Sequence, residues 1–341
     1  MRVQVNARNR AFNFQADKGE RILYAGLRAQ AGLPYECATG TCGTCKAKLV
    51  DGRIDEGWPE APGRKHLKPE RGEFLMCQCA AQGDVSIEVA SFVYPADPAA
   101  CRVGTLSGTV GAVRPLTHDV AALDVELDAP CDFDAGQFMA VSAPGLRGTR
   151  GYSMVNYARA AKRLEFVVKR KPGGGFSEWL FSDRAAGARL GLVGPLGKAT
   201  FDPGLARNIL CIAGGSGIAG MMSILARAEE SDFFSRHKVH VFFGVRTMRD
   251  VFFLDQLAAY PKADITIALS EEDPPAGPSE HPTLRFARGL VHEVAKRAMA
   301  GRYQNVRAFV AGPPPAVDAA IRVLLLDAKL TTDNIRYDKF S

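Results

Sequence analysis

Four cysteines, Cys37, Cys42, Cys45 and Cys77, are spaced C-x4-C-x2-C with the fourth after a gap. This is the thiolate spacing of plant-type [2Fe–2S] centres. Such a centre moves one electron at a time, so its chain is either an electron carrier or an enzyme that releases electrons singly. Three thiolates on one loop must reach a compact inorganic core. That tight reversal needs residues without bulk, and Gly40 and Gly43 supply them. Small neighbours also let backbone N–H groups approach the sulfurs. Zinc sites prefer paired short spacings, and only one C-x2-C exists here. A disulfide framework does not suit a 341-residue chain with a large core, and Met1-Arg2-Val3-Gln4-Val5 does not read as a secretory segment. For the fourth ligand, Phe74-Leu75-Met76-Cys77-Gln78-Cys79 offers two candidates. In an extended run both would face the same side, so periodicity does not choose between them. Cys101, Cys131 and Cys211 read as structural; Cys211 sits in the apolar run Ile209–Ala213, as a small hydrophobe would.

A second kind of chemistry is suggested at Gly214-Gly215-Ser216-Gly217-Ile218-Ala219-Gly220, between an apolar strand and a helix pattern. A phosphate belongs at such a helix start, where unpaired N–H groups point outward and glycines let the backbone come close. Gly215, Gly217 and Gly220 match G-x-G-x-x-G, but the acid expected about 20 residues on is missing before Asp250. The phosphate-loop reading rests on the order of strand, glycine turn and helix. A second loop, Gly312-Pro313-Pro314-Pro315, also follows a strand. It reads equally as part of a ligand crevice or as a plain turn with proline at the helix start.

These sites need three segments to carry them. In residues 1–93, Val3 and Val5 with Phe12 and Phe14 suggest a hairpin, Glu20–Ala31 a helix ending at Gly32, and Val85, Ile87 and Val89 a closing strand. Together they make a ferredoxin-sized, β-grasp-like module. Residues 94–101, with Pro95 and Pro98, read as a linker. Residues 102–205 show short strands at Gly104–Val113, Val120–Leu127, Gln137–Ser142 and Arg163–Lys169, as in an antiparallel β-barrel. Residues 206–341 alternate strands (Asn208–Ala213, Lys238–Gly244, Asp264–Leu269, Val306–Val310) with helices (Met221–Ala228, Val251–Tyr260, Pro315–Ala328). That alternation predicts a doubly wound parallel α/β sheet.

The net charge of +6 is spread thinly: 13 basic and 11 acidic groups in residues 1–95, 13 and 10 in 102–205, 17 and 15 in 206–341. This argues against a nucleic-acid stripe and against an acidic carrier steered by charge alone. No apolar run approaches the roughly 18 residues of a membrane helix, so a cytoplasmic protein, monomeric or weakly oligomeric, is expected.

Across essentially its whole length the chain resembles ferredoxin–NAD(P)+ reductase-like flavoproteins with a fused plant-type ferredoxin. These are the reductase components of bacterial aromatic-ring oxygenases, and the likeness is to the carbazole, naphthalene and tetralin dioxygenase type. Toluene monooxygenase reductases are also similar, around Trp58-Pro59-Glu60-Ala61-Pro62-Gly63 and Cys77-Gln78-Cys79. The resemblance implies FAD, a [2Fe–2S] cluster and NADH (with NADPH as the alternative) in a ferredoxin, FAD-binding, NAD(P)H-binding order. It selects Cys77 as the fourth ligand, because the family's ligand precedes Gln. The family motif R-x-Y-S-x-x-N stands here as Arg150-Gly151-Tyr152-Ser153-Met154-Val155-Asn156. It implies that Arg150 holds the flavin phosphates, that Tyr152 packs on the isoalloxazine and that Ser153 hydrogen-bonds near N5. A planar cation suits phosphate, an aromatic face suits a flavin and a hydroxyl suits N5. The stretch Val167-Val168-Lys169 and Gly173-Gly174-Gly175-Phe176-Ser177 resembles the second flavin contact. Gly214, Gly215, Ser216 and Gly217 resemble the nicotinamide-nucleotide phosphate loop, and Gly312 and Pro313 the family's Gly-Pro-Pro loop close to the hydride-transfer site. Phe340, in the terminal Asp338-Lys339-Phe340, is placed by the resemblance over the flavin face where nicotinamide enters.

Two departures stand out: Gly220 replaces a proline common in relatives, and Ala311 replaces a cysteine many carry before the Gly-Pro-Pro loop. Hydride positioning then falls to Ser153 and to shape. Arg246 could meet a 2′-phosphate or adenine, and Asp250 a free 2′-hydroxyl.

NADH delivers two electrons as a hydride and a [2Fe–2S] centre takes one, so a flavin that can do both belongs between them. No acid–base pair is required, and His118 reads as a loop residue. The acceptor expected is a Rieske-type ferredoxin or the terminal oxygenase of an aromatic-hydrocarbon catabolic system. A reductase of a diiron monooxygenase is the rival enzyme. A plain carrier without hydride chemistry is the rival binding protein, and the two glycine loops speak against it.

Overall fold

Val3 and Val5 alternate with polar neighbours, and their strand buries both side chains completely. The strand Arg2–Ala7 pairs antiparallel with Ala11–Gln15, setting Val3 opposite Phe14 and Val5 opposite Phe12. The computed structural model describes residues 1–276 and 280–340. The chain divides into two compact units, one of Met1–Gly108, Phe138–Gly151 and Ala188–Leu196, the other of Thr109–Gln137, Tyr152–Gly187 and Gly197–Ser341.

In the first unit, a five-stranded sheet runs Ala11–Gln15, Arg2–Ala7, Val85–Val89, Lys46–Asp51, Glu73–Leu75. Its pair Arg2–Ala7 and Val85–Val89 is parallel, and the helix Ile22–Arg28 buries Ile22, Leu23, Tyr24 and Ala25 in the same core. This mixed sheet with one helix is the β-grasp arrangement expected. The helix is shorter than Glu20–Ala31. Glu20 instead takes Arg28 into an ion pair and accepts the Asp17 N–H, while Gln30 turns left-handed (φ 59°) and stops the far end. Phe138–Ser142 and Arg189–Leu196 pair antiparallel in this unit.

In the second unit, Val120–Cys131 and Ala161–Lys169 pair antiparallel. The strands Gly104–Pro115 and Arg150–Ser153 run from one unit into the other. The expected middle segment, 102–205, is therefore divided between the units.

The second unit also holds a six-stranded sheet, all parallel, in the order Leu284–Arg288, Asp264–Leu269, Val239–Val245, Asn208–Gly214, Val306–Gly312, Ile335–Lys339. Alternate residues of Asn208–Gly214 enter separate cores. Ile209, Cys211 and Ala213 pack with Ile218, Ile224 and Leu225, whereas Leu210 and Ile212 pack with Val317 and Leu324. Helices thus cover both faces, which is why this strand reads as a continuous apolar run. Cys211 is fully buried and its thiol is pushed up by that burial, as for a structural residue. Chain order reverses between Asn208–Gly214 and Val306–Gly312, and a doubly wound sheet opens its ligand crevice at such a switch point. Both glycine loops leave from there.

Several elements depart from expectation. The helix predicted over Val251–Tyr260 forms only at Leu254–Ala258. Phe252 and Phe253 turn inward instead, Phe252 edge-on to Phe243 at 5.3 Å, and Phe253 adopts φ 63°. The outer strands Leu284–Arg288 and Ile335–Lys339 and the helix Val291–Ala298 were not anticipated. The two strands lie at sheet edges, half exposed, so polar residues interrupt their apolar pattern.

Candidate electron-transfer site

The cysteine loop reverses through three left-handed residues, Ala38 (φ 55°), Gly40 (φ 85°) and Gly43 (φ 80°). A side chain at Gly40 would meet Gln78 at 3.0 Å, and one at Gly43 would meet His66 at 2.9 Å. The loop is therefore closed on both sides by residues that leave no room for a Cβ. The reversal aims the N–H groups of Thr39, Thr41 and Cys42 at the Cys37 sulfur, each at 3.4 Å, and that of Thr44 at the Cys42 sulfur at 3.5 Å. The Cys37 thiol is drawn down to about 4 by its hydrogen bond with Cys42 and by these N–H groups, against the opposing effect of burial. The Cys45 and Cys77 sulfurs lie 3.2 Å apart, both buried, and Gln78 Nε2 donates to Cys77 at 3.4 Å. None of the described cysteines is in a disulfide. Half-buried Cys37 and Cys42 with backbone N–H groups directed at sulfur, beside the buried Cys45 and Cys77, fit an iron–sulfur centre.

The alternation argument for Cys77 and Cys79 fails for a local reason. The run is two short strands, Glu73–Leu75 and Cys79–Ala81, joined by a turn in which the Gln78 N–H donates to the Leu75 carbonyl at 2.9 Å. Cys77 sits in that turn and reaches Cys45. Cys79 begins the second strand opposite Glu56, fully buried, and its thiol is pushed up to about 12 by burial and then by Glu56.

The strand Arg150–Ser153 carries the flavin motif. In the first unit, the Arg150 guanidinium carbon lies 4.4 Å from the centre of a Trp58 ring, and its Nη1 donates to the Thr149 carbonyl at 2.9 Å. In the second unit, Tyr152 packs against Phe176 at 5.1 Å and Phe166 at 6.4 Å. Ser153 is nearly buried and lines a narrow cleft with Gly136, Gly220, Ala311 and Asp338. Gly220 borders Ser153, since a Cβ there would stand 3.5 Å from the Ser153 Cβ.

The two glycine loops press on each other. A Cβ at Gly217 would lie 2.5 Å from the Ala311 carbonyl carbon, and one at Gly312 would lie 2.9 Å from the Gly214 oxygen. These glycines are demanded by backbone contact whatever the ligand. Gly215 differs: it is left-handed (φ 53°) and has nothing within 4 Å of its missing Cβ. The helix Ile218–Glu230 has no side-chain cap and no acid in its first turn. The turn Gly215–Gly217 leads straight into this helix, with the Ile218 N–H donating back to the Gly215 and Ser216 carbonyls, and a helix start without an acid suits a nucleotide phosphate. The Phe340 N–H donates to the Gly312 carbonyl at 3.0 Å, bringing the C-terminal aromatic to the same crevice.

Other candidates have their own work. Val167 is buried in the core, and Lys169 pairs with Asp119 at 2.9 Å. Ser177 Oγ accepts the Lys171 N–H at 3.0 Å and packs beneath Gly174 at the start of the helix Gly175–Leu180. Arg246 pairs with Asp250 at 3.2 Å; Asp250 also accepts the Thr247 N–H and hydroxyl, caps the turn Met248–Asp250 and is nearly buried. His118 stands 3.7 Å from Asp119 and 3.9 Å from Asp250 in this ion-pair group. Sequence reasoning gave no role to Trp58, Tyr24, Gly136 or Asp338. Only the unusual Trp-Pro pair offered any signal.

Three family models match in order: "2Fe-2S iron-sulfur cluster binding domain" over residues 5–82, "Oxidoreductase FAD-binding domain" over 107–201 and "Oxidoreductase NAD-binding domain" over 211–322. The chain is 38% identical over 328 residues to the ferredoxin–NAD(P)+ reductase CarAd of Metapseudomonas resinovorans, covering 94% of this chain and 95% of that one. It is 32% identical to the ferredoxin–NAD+ reductase component of the alkene monooxygenase system of Xanthobacter autotrophicus, covering 97% and 98%. A solved structure of the ferredoxin reductase in carbazole 1,9a-dioxygenase superposes with a TM-score of 0.84 at 35% identity, covering 100% of this chain and 99% of that one. FAD, a [2Fe–2S] centre and NADH are the cofactors these domains take. The chain belongs to the ferredoxin–NAD(P)+ reductases that join a [2Fe–2S], an FAD-binding and an NAD-binding domain, oxidoreductases that serve as reductase components of oxygenase systems.

Proposed function

We propose that this chain draws electron pairs from NADH and delivers them singly to a Rieske-type ferredoxin or the terminal oxygenase of an aromatic ring-hydroxylating dioxygenase. It does so as a cytoplasmic monomer or weak oligomer, built of a ferredoxin domain (1–93), a linker (94–101), an FAD domain (102–205) and an NAD(P)H domain (206–341). The observation that carries this reading is the thiol set, with N–H groups aimed at Cys37 and Cys42 and with Cys45 and Cys77 in contact. Bound FAD supplies the step between hydride transfer and single-electron release, and the iron–sulfur centre supplies the exit.

The chain's residues bind and orient. Cys37, Cys42, Cys45 and Cys77 hold iron, and Gln78 donates to the last of them. Arg150 would hold the flavin phosphates; Gly174, Gly175, Phe176 and Ser177 would form the second flavin contact, with the backbone of Val167 and Lys169 bordering the flavin. Tyr152 packs on the ring, and Ser153 donates near N5. Gly214, Gly215, Ser216 and Gly217 take the nicotinamide-nucleotide phosphates, and Arg246 stands near the ribose. Gly312 and Pro313 would shape the crevice, and Phe340 would cover the flavin face where nicotinamide enters.

A second reading, the reductase of a diiron monooxygenase, is supported by the likeness to the alkene monooxygenase component. Anaerobic NADH titration, followed by absorbance and electron spin resonance, tests the common part. Stoichiometric bleaching of flavin with the appearance of a reduced [2Fe–2S] signal is expected, and an iron centre that stays oxidised refutes it. Turnover with a Rieske ferredoxin but not with a diiron hydroxylase is expected; the reverse selects the second reading.

A further inference from the structure

Trp58 belongs to the iron–sulfur module. It follows the strand Ile54–Glu56, packs at the edge of that module's core, and accepts the Ala61 N–H on its carbonyl at 3.1 Å. Its ring centre lies 4.4 Å from the guanidinium carbon of Arg150. The approach is built into the backbone. Gly148 is left-handed (φ 70°), and a Cβ there would stand 2.8 Å from Trp58 Cδ2 and 2.9 Å from Cζ3. Between them, the Tyr24 hydroxyl meets Thr149 Oγ1 at 3.2 Å and donates to the Ala38 carbonyl at 2.9 Å, next to Cys37. Arg147 pairs with Glu60 at 3.4 Å, but both are well exposed and that pair adds little. Segment 147–151 is therefore seated on the iron–sulfur module through Trp58 and Tyr24, both in the first unit.

A guanidinium bonds acceptors along its edge and stacks through its face. An indole held this close to the cation restricts where the guanidinium can stand. We propose that Trp58 is a positioning residue of the flavin site: it holds Arg150 ready for the FAD phosphates, and so makes flavin affinity depend on the iron–sulfur module. This rests on the reading of Arg150 as the phosphate ligand.

A cation–aromatic pair of this kind is worth roughly 3- to 30-fold in affinity. The test uses the full chain with its iron–sulfur centre intact and FAD removed, titrated with FAD and with riboflavin by flavin fluorescence. Trp58→Leu keeps an apolar side chain and loses the aromatic face, and Trp58→Phe keeps a face. Trp58→Leu should weaken FAD by about 3- to 30-fold and leave riboflavin unchanged, with normal iron content. Trp58→Phe should recover most of the loss, and Trp58→Leu should add little to Arg150→Ala. Equal loss for riboflavin, equal loss in both Trp58 variants, or independent effects of the Trp58 and Arg150 changes would overturn the proposal. If Arg150→Ala itself leaves FAD affinity unchanged, the phosphate role of Arg150 falls, and the proposal with it.

Discussion

Gly217→Ala tests whether the two glycine loops touch as described. Gly217 has an ordinary helical backbone, φ −60° and ψ −17°. On propensity alone, alanine there should stabilise by about 0.5–1 kcal/mol. The tertiary contact reverses that sign. The new methyl would stand 2.5 Å from the Ala311 carbonyl carbon and 2.8 Å from the Gly312 nitrogen, where carbon contacts want about 3.5 Å. All the obstructing atoms are backbone, on a strand paired on one side to Asn208–Gly214 and on the other to Ile335–Lys339. The strand cannot swing aside like a side chain, so about 1 Å of displacement must come from the loop. Overpacking of this kind costs about 1–3 kcal/mol, more than the propensity gain. We expect a net loss of about 1–2 kcal/mol in urea unfolding of the holoprotein. NADH affinity should fall with it, because the displaced loop is the proposed phosphate loop, while the iron–sulfur spectrum and flavin content stay normal. Unfolding at or above the wild-type midpoint, with unchanged NADH titration, would show that the loops do not meet.

Gly220→Ala should act the other way. Its Cβ would make only ordinary contact with Ser153 at 3.5 Å, so the helix gains about 0.5–1 kcal/mol. The methyl enters the cleft beside Ser153, and anaerobic stopped flow should show slower flavin reduction by NADH; an unchanged rate would remove this cleft from the nicotinamide path. Cys77→Ser should abolish the iron–sulfur absorbance while flavin reduction survives, and Cys79→Ser should keep that absorbance. The opposite pair of results would move the fourth ligand. His240 is nearly buried 3.2 Å from Asp264, and its pKa is lowered, mainly by burial and despite that carboxylate. The unfolded chain therefore binds the proton first. Stability should be fullest above about pH 6.5 and fall as pH drops through the lowered folded value. His240→Gln should flatten the unfolding midpoint between about pH 7 and 5, and parallel profiles would contradict this.

Much of the site was legible because covalent spacing and local geometry dictate it. C-x4-C-x2-C needs a tight reversal, and Gly40 and Gly43 are left-handed as that closure favours. The hairpin of Val3 and Val5 with Phe12 and Phe14 followed from alternation. The choice between Cys77 and Cys79 was not legible, since it turns on a three-residue bend that breaks the alternation on which any period argument relies. That Asp250 caps a turn was not legible either, because Thr247 and Arg246 come within bonding distance of it only in the fold.

From its residues alone, this chain's electron chemistry was determined: the cysteine spacing, the Arg-x-Tyr-Ser motif and the strand–glycine–helix order are all local patterns. Tertiary structure alone decided what stands opposite them. Gly217 must be glycine because Ala311, far off in the chain, closes on it; Ser153 meets Gly220 and Asp338; Trp58 lies beneath Arg150. Such partners are chosen by how strands are ordered and helices packed, and no period within a window of neighbouring residues encodes that order.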